Sequence, residues 1–372
     1  MRFNYNQPVE IIYGTGTVGL VPNEAMKRGY SRGLLVTSPS QLRNVVHSGR
    51  LDGCEELIVA TYSSVKPNPD TDDVDACVAL AREEQCDFIL AIGGGSVLDC
   101  AKAASVLALT GEKVAPYVGT GKAIAAEHLP LIALPTTSGT GSEVTRVAVV
   151  TDHARGVKAP LVGDALYPVL AIVDPELTSS MPPRLTACTG FDALCHCIES
   201  YWSQGRNPLC SPLAIEAART IFAYLPTAVA DGADLHAREE MARASLTAGL
   251  AFNLPRTNSG HACSYIITAM LGLPHGEACT LTIEWFIRFN AARGCAEVEQ
   301  LARALGFADA DAMASEITAM KRRLGLRTDL REFNLTDEQI EQLAVGSQHP
   351  ILKLNPVEVT LDDLRALYRS LR

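Results

Sequence analysis

The stretch DFILAIGGGSVLDCAK, residues 87–102, runs an apolar segment without interruption into three glycines and then into a helical pattern. A strand buried on both faces reads as a continuous apolar run rather than an alternating one. Gly93, Gly94 and Gly95 let the backbone approach a ligand closely, and the free N–H groups where the next helix starts attract phosphate. One such unit is also compatible with a plain strand-to-helix turn, so its neighbours decide. The same pattern recurs at GLLVT (33–37), ELIVAT (56–61) and LPLIALPTT (129–137), with helical stretches at 70–85 and 96–108 between them. Alternation of this kind predicts a parallel α/β sheet with helical crossovers.

A second polar loop, PTTSGTGSEVT (135–145), follows another apolar strand and adds hydroxyls from Thr136, Thr137, Ser138, Thr140 and Ser142. Two such loops after successive buried strands converge at the carboxyl edge of a sheet, where open α/β folds bind nucleotides. A third glycine stretch, GTGTVG (14–19), matches GxGxxG, but the position about 20 residues on, where a Rossmann unit carries its ribose-binding acid, falls in LVTSPS. No Asp or Glu stands there. That stretch reads as a turn into the first helix.

Further β-rich segments follow at RVAVVTD and YPVLAIVDP, and after Pro182-Pro183 the character changes to Ala/Leu-rich helical periodicity. The expected architecture is therefore α/β plus all-α: an N-terminal dinucleotide-binding parallel α/β domain over 1–180 and a C-terminal all-helical metal-binding domain over 181–372. A length of 372 residues suits two cores. The last helix is expected to start at Thr360, whose TLDD resembles a capping box.

Composition removes several function classes. A net charge of −10 without a Lys/Arg cluster leaves no basic footprint for nucleic acid. No run reaches the roughly 18 apolar residues of a membrane span. The opening MRFNYNQPVEIIYG lacks a basic flank followed by an apolar stretch, so the expected location is cytoplasmic. Eleven scattered cysteines without a CxxC pair fit reduced thiols better than a disulfide framework.

TGFDALCHCIESYW (189–202) holds the metal question. On a helix Asp192 and His196 share a face, whereas Cys195 and Cys197 point to either side of the histidine. Oxygen and nitrogen donors are thereby favoured over a thiolate cluster, with both cysteines left to packing. SGHACSYIITAMLGLPHGEA supplies His261 and His275. A single straight helix would hold them roughly 21 Å apart, but Gly272 and Pro274 break it, so both imidazoles can return to one site. His47, His128, His153, His236 and His349 read as structural or surface residues.

These segments, in this order and spacing, resemble the iron-containing (group III) alcohol dehydrogenase family over nearly the whole chain. The resemblance implies a nucleotide-binding sheet, a helical domain and an active site in the cleft between them. It assigns Asp192, His196, His261 and His275 to a divalent metal, Fe2+ first and Zn2+ second. It assigns Gly94, Gly95, Ser96, Asp99, Thr136, Thr137, Thr140, Ser142 and Lys158 to NADP(H) or NAD(H). Two departures matter. Ser38 stands where many members carry an aspartate that would repel a 2′-phosphate, which favours NADP(H) and leaves NAD(H) open. Tyr265 stands where many carry a second histidine, and becomes the candidate proton donor, although a phenol of pKa about 10 is a poor base.

The implied reaction is hydride transfer between nicotinamide and a small aldehyde or alcohol. Arg256, five residues before His261, offers a fork of donors for an anionic group, and its surroundings resemble the phosphonoacetaldehyde reductase branch. Readings held beside this one are a general primary-alcohol dehydrogenase and a dehydroquinate-synthase-like lyase. The expected partners are small molecules only, and a homodimer is compatible with the sequence.

Overall fold

The computed structural model describes residues 3–46 and 48–372, so His47 lies outside the described residues. Its contacts divide the chain into two compact units, Asn6–Ser180 and one built on Met181–Arg372.

The first unit holds strands β1 (Glu10–Tyr13), β2 (Gly33–Thr37), β3 (Ile58–Tyr62), β4 (Phe88–Gly93), β5 (Leu131–Pro135), β6 (Val147–Asp152), β7 (Val157–Val162) and β8 (Leu170–Val173). Its helices are α1 (Val21–Lys27), the single turn α2 (Pro39–Gln41), α3 (Thr71–Glu83) and α4 (Gly95–Leu107). Six strands form one parallel sheet in the order β1-β8-β5-β4-β2-β3, while β6 and β7 pair antiparallel as a separate ribbon. RVAVVTD therefore builds the ribbon, and YPVLAIVDP supplies β8 between β1 and β5.

The unbroken apolar runs have the expected cause. Ile89 and Ala91 of β4 join one buried cluster, whereas Phe88, Leu90 and Ile92 join the cluster on the opposite face. Successive side chains of a strand point to opposite faces, so a strand covered on both sides needs every position apolar.

From β2 the chain moves outward to β3; from β4 it moves the other way to β5. The strand order thus reverses between β2 and β4, and ligands of open α/β sheets bind beyond the carboxyl ends at such a point. β4 and β5 pair in step from Ile89 with Leu131 to Gly93 with Pro135. Both polar loops leave the sheet at the same level.

GTGTVG follows β1 as a turn, with Gly16 in the left-handed region at φ 78°. The N–H of Val18 behind it donates to Asp174 Oδ2 at 3.0 Å. A donor that a phosphate would need is already taken.

The second unit is helical: α5 (Pro183–Trp202), α6 (Cys210–Ala230), α7 (Leu235–Phe252), α8 (Ser259–Leu271), α9 (His275–Ala292), α10 (Ala296–Ala304), α11 (Ala310–Arg323), α12 (Asp337–Gly346) and α13 (Leu361–Leu371). α5 is buried along nearly its whole surface, Asp192 and His196 included, so it is the central helix of this unit. By length and composition α6 is apolar enough to cross a membrane. It nonetheless carries Glu216 and Arg219, and its buried face packs with α5 and α7 as a core helix. Thr360 caps α13 in a complete capping box with Asp363.

Candidate metal centre and nucleotide loops

Asp192, His196 and Glu199 lie four and three residues apart on α5, hence on one face of it. His261 stands in the first turn of α8. Asn258 fixes that start: its Oδ1 accepts from Ser259 N–H and Trp202 Nε1, each at 2.8 Å, and its Nδ2 donates to Glu199 O at 3.0 Å. Gly272, left-handed at φ 68°, ends α8, and Pro274 leads into α9 with His275 as its first residue. The break read from Gly272 and Pro274 is what lets His275 return to His261.

The donors converge on one oxygen. His261 Nε2, His196 Nε2 and His275 Nε2 lie 3.5, 3.9 and 4.0 Å from Asp192 Oδ1. Asp192 Oδ1 and His261 Nε2 are both buried and neither makes a hydrogen bond. A polar atom buried this way costs about 1–3 kcal/mol, and a shared cation relieves both atoms at once. Nitrogen and oxygen ligands about 2.0–2.1 Å from a tetrahedral ion stand roughly 3.3–3.4 Å apart, so small inward shifts from the observed spacing suffice. The residues fit a divalent ion. Burial pushes the Asp192 carboxyl up, but His196, His261 and His275 outweigh it and hold it well below the usual carboxylate range.

Two participants escaped the sequence reading. Glu199 accepts from Gly260 N–H at 2.5 Å, from His261 N–H at 3.3 Å and from His261 Nδ1. It thereby turns His261 Nε2 toward Asp192. Its signal was its place on the Asp192/His196 face. Cys279 is the other: its thiol and the ligand atoms of Asp192, His261 and His275 all lie within 4.8 Å of one another. His196 stands on the flank of that group, its ring stacked 4.1 Å from Phe252 and 4.7 Å from His261. Cys195 and Cys197 are buried in the helical core.

Tyr265 lies one turn after His261, its ring centroid 6.4 Å from that of His275 and 4.7 Å from that of His349. Burial pushes its phenol up to about 12, so the site does not make a base of it. Protonated, it is suited to donate. His349, read from sequence as structural, belongs to this neighbourhood. Burial, and then the charge of Arg256, hold its imidazole below its ordinary value. Its Nδ1 accepts from Ile351 N–H at 3.3 Å, which leaves the proton on Nε2. Arg256 holds a left-handed φ of 66° with its N–H on Phe252 O at 2.7 Å. For a non-glycine residue that conformation costs of order 1–3 kcal/mol and clusters at functional sites.

In the other unit the two polar loops close on each other. A Cβ on Gly95 would come within 2.6 Å of the Thr140 methyl. No side chain caps the start of α4, whose N-cap is Gly94, so its first N–H groups can meet an anion. Around this start Ser96, Thr137 and Thr140 are partly exposed, while Thr136 and Ser142 are buried. Ser142 Oγ donates to Asp99 Oδ1 at 2.8 Å, and Asp99 Oδ2 accepts from Val149 N–H at 3.0 Å. Lys102 donates to Ser142 Oγ, Thr145 Oγ1 and Val147 O at 2.8, 3.0 and 3.0 Å. Asp99 and Ser142 thus tie the loops together. Lys158 reaches Asn68 Oδ1 at 2.8 Å, and Asn68 N–H donates to Ser96 Oγ at 3.1 Å, so Asn68 joins a group in which the sequence reading had not placed it. Ser38 caps α2 at the end of β2, with its Oγ 3.4 Å from Gln41 N.

Residues 8–175 match the family described as iron-containing alcohol dehydrogenase, and residues 186–372 match its C-terminal counterpart. The chain belongs to the iron-containing alcohol dehydrogenases. It is accordingly an oxidoreductase acting on CH–OH groups. The NAD-dependent methanol dehydrogenase of Bacillus methanolicus is 33% identical, with 99% of each chain covered. Alcohol dehydrogenase 4 of Schizosaccharomyces pombe is 31% identical over 96% of this chain and 86% of that one. Among solved structures, the sulfoacetaldehyde reductase of Bifidobacterium kashiwanohense in complex with NAD+ superposes with a TM-score of 0.96 at 46% identity, covering 100% of this chain and 99% of that one. A 1,3-propanediol oxidoreductase gives 0.93 at 31%, with both chains fully covered.

Proposed function

We propose that this alcohol dehydrogenase reduces a two-carbon aldehyde carrying an anionic phosphonate or sulfonate, with NADPH or NADH as hydride donor and a divalent ion held by Asp192, His196, His261 and His275. The observation that carries the substrate class is the arginine: Arg256, in a strained backbone conformation, acts electrostatically on Tyr265, whose ring neighbours His275, and on His349, whose ring lies against Tyr265. Whole-length likeness to a sulfoacetaldehyde reductase supports the same class. When bound, the ion supplies Lewis-acid polarisation of a carbonyl oxygen and the nicotinamide supplies hydride.

The chain's own residues do the rest. Asp192 and the histidines fix the place of the reacting oxygen, Tyr265 remains protonated at neutral pH to supply the proton that turns the carbonyl oxygen into the product hydroxyl, and Arg256 with the Nε2–H of His349 orients the anionic end. Gly94, Gly95, Ser96, Thr137 and Thr140 line the start of α4 for the pyrophosphate, backed by Asp99, Ser142, Thr136 and Lys158. Eleven cysteines, none in a disulfide, support a reducing, cytoplasmic compartment.

The test is a kcat/KM comparison of phosphonoacetaldehyde, sulfoacetaldehyde and a neutral aldehyde of like size, with each reduced nicotinamide, in wild type and Arg256→Leu. Losing hydrogen bonds from a charged group costs about 1.5–3 kcal/mol, so KM for the anionic aldehydes rises about 10- to 150-fold in the variant while the neutral one changes little. No preference for an anionic aldehyde in wild type defeats the substrate reading. Asp192→Ala that kept both metal and turnover defeats the metal reading.

A further inference from the structure

Ser264 stands on α8 three residues after His261 and one before Tyr265, with its side chain fully buried. Its Oγ lies 2.8 Å from His261 O and 3.4 Å from His275 Nδ1. A serine hydroxyl has one proton and two acceptor lone pairs. A carbonyl oxygen only accepts, so that proton goes to His261 O, as serines on helices often bond one turn back. Toward His275 the hydroxyl oxygen is then left to accept. The ring proton of His275 therefore belongs on Nδ1, and Nε2, the nitrogen 4.0 Å from Asp192 Oδ1, keeps its lone pair. Cys279 also lies near this ring, but its Sγ stands 3.9 Å from Nδ1 and 3.7 Å from Nε2, so it does not choose between the two nitrogens.

We propose that Ser264 is a positioning residue for His275: it holds the ring proton on Nδ1 and the Nε2 lone pair toward the divalent ion, as Glu199 does for His261. The proposal rests on the metal reading above and adds a residue that acts through a ligand. One hydroxyl joins the backbone of His261 to the ring of His275, which keeps the two imidazoles in register across the break between α8 and α9. Metal-ligating histidines usually donate their second ring N–H to a fixed partner, and losing that partner weakens metal binding. Serine is neutral where Glu199 is a carboxylate, so its hold on the ring is the weaker of the two.

The test uses the full chain labelled with 15N-histidine and loaded with one equivalent of Zn2+. Long-range 1H–15N correlation identifies, for each imidazole, the nitrogen bound to zinc and the nitrogen carrying hydrogen; the signals lost in His275→Gln assign that ring. In wild type, His275 is expected to bind through Nε2 and to show an Nδ1–H that exchanges slowly with water. In Ser264→Ala that proton is expected to shift upfield and exchange faster, while the Nδ1–H of His261 keeps its shift and Cys279→Ala leaves both in place. Competition with a chelator should show a zinc dissociation constant raised about 3- to 10-fold in Ser264→Ala. Ligation of His275 through Nδ1, or an Nδ1–H signal unchanged in Ser264→Ala, overturns the proposal while leaving the metal reading intact. Failure of the wild type to bind zinc overturns both. Because the wild-type spectrum alone shows which nitrogen carries the proton, a variant that fails to fold does not shield the proposal.

Discussion

Substituting Glu199 by glutamine should weaken metal binding although Glu199 is no ligand in this reading. The carboxylate accepts three hydrogen bonds, two from backbone N–H groups at the start of α8 and one from His261 Nδ1. Glutamine has the same shape, and its single carbonyl oxygen keeps the backbone donors. Its NH2, however, cannot accept from Nδ1–H. The imidazole then either loses that bond or moves its proton to Nε2, the atom that faces Asp192. A protonated Nε2 cannot ligate. Loss of one charge-assisted hydrogen bond is worth about 1.5–3 kcal/mol, hence a dissociation constant raised about 10- to 150-fold, in line with the 10- to 100-fold usual for such supporting carboxylates. Competition with a chelator of known affinity measures this directly. Melting temperatures with and without zinc provide the control, because a variant that binds less tightly gains less from the same zinc concentration. An affinity within about twofold of wild type would refute the reasoning, since a carboxylate that fixes the His261 tautomer could not be removed without cost.

Asp99→Asn should weaken nucleotide binding about tenfold, because asparagine keeps a single accepting oxygen and its NH2 cannot accept, so one of the bonds from Ser142 Oγ and Val149 N–H is lost; fluorescence titration with NADH and NADPH measures it, and metal content should stay unchanged. Ser38→Asp should lower kcat/KM for NADPH relative to NADH, as a new charge near a 2′-phosphate costs roughly 1–4 kcal/mol; an unchanged ratio would remove Ser38 from the ribose site. Glu143 gives a pH signature. Burial pushes its carboxyl from 4.5 up to about 7, against the pull of Lys102. The folded state then holds the proton more tightly than the unfolded one, so this group costs stability progressively as pH rises from 4.5 through about 7 and costs a constant amount above. Glu143→Gln should therefore match wild type in melting temperature near pH 4 and exceed it at pH 8, by an amount corresponding to about 3 kcal/mol. A gain independent of pH would contradict this.

The fold was legible because its signals are local. The inner parallel strands β2, β4, β5 and β8 announce themselves as nearly unbroken apolar runs, since they are buried at every position, and the glycines after β4 mark where backbone must come close to Thr140. The change to helical periodicity after Pro182-Pro183 is equally local. What was not legible was the pairing of β6 with β7 as a ribbon apart from the main sheet, because it depends on partners that no short window contains.

The site divides along the same line. Helix spacing alone puts Asp192 and His196 on one face, and Gly272 with Pro274 frees His275 to return. Spacing could not bring Glu199 onto His261, 62 residues away, or set His349 against Tyr265. Nor could it separate Thr137 and Thr140 at the surface from the buried Thr136 and Ser142 behind them. Cys279 is the sharpest case. The visible cysteines of TGFDALCHCIESYW point away from Asp192 and His196, while the thiol that lies within 4.8 Å of the donor atoms of Asp192, His261 and His275 comes from another helix. A sequence by itself determined which residues could be ligands and which helix faces they share, because that follows from backbone geometry. Which of them meet was decided only by the packing of α5, α8 and α9, because contacts between helices depend on the whole core that holds them.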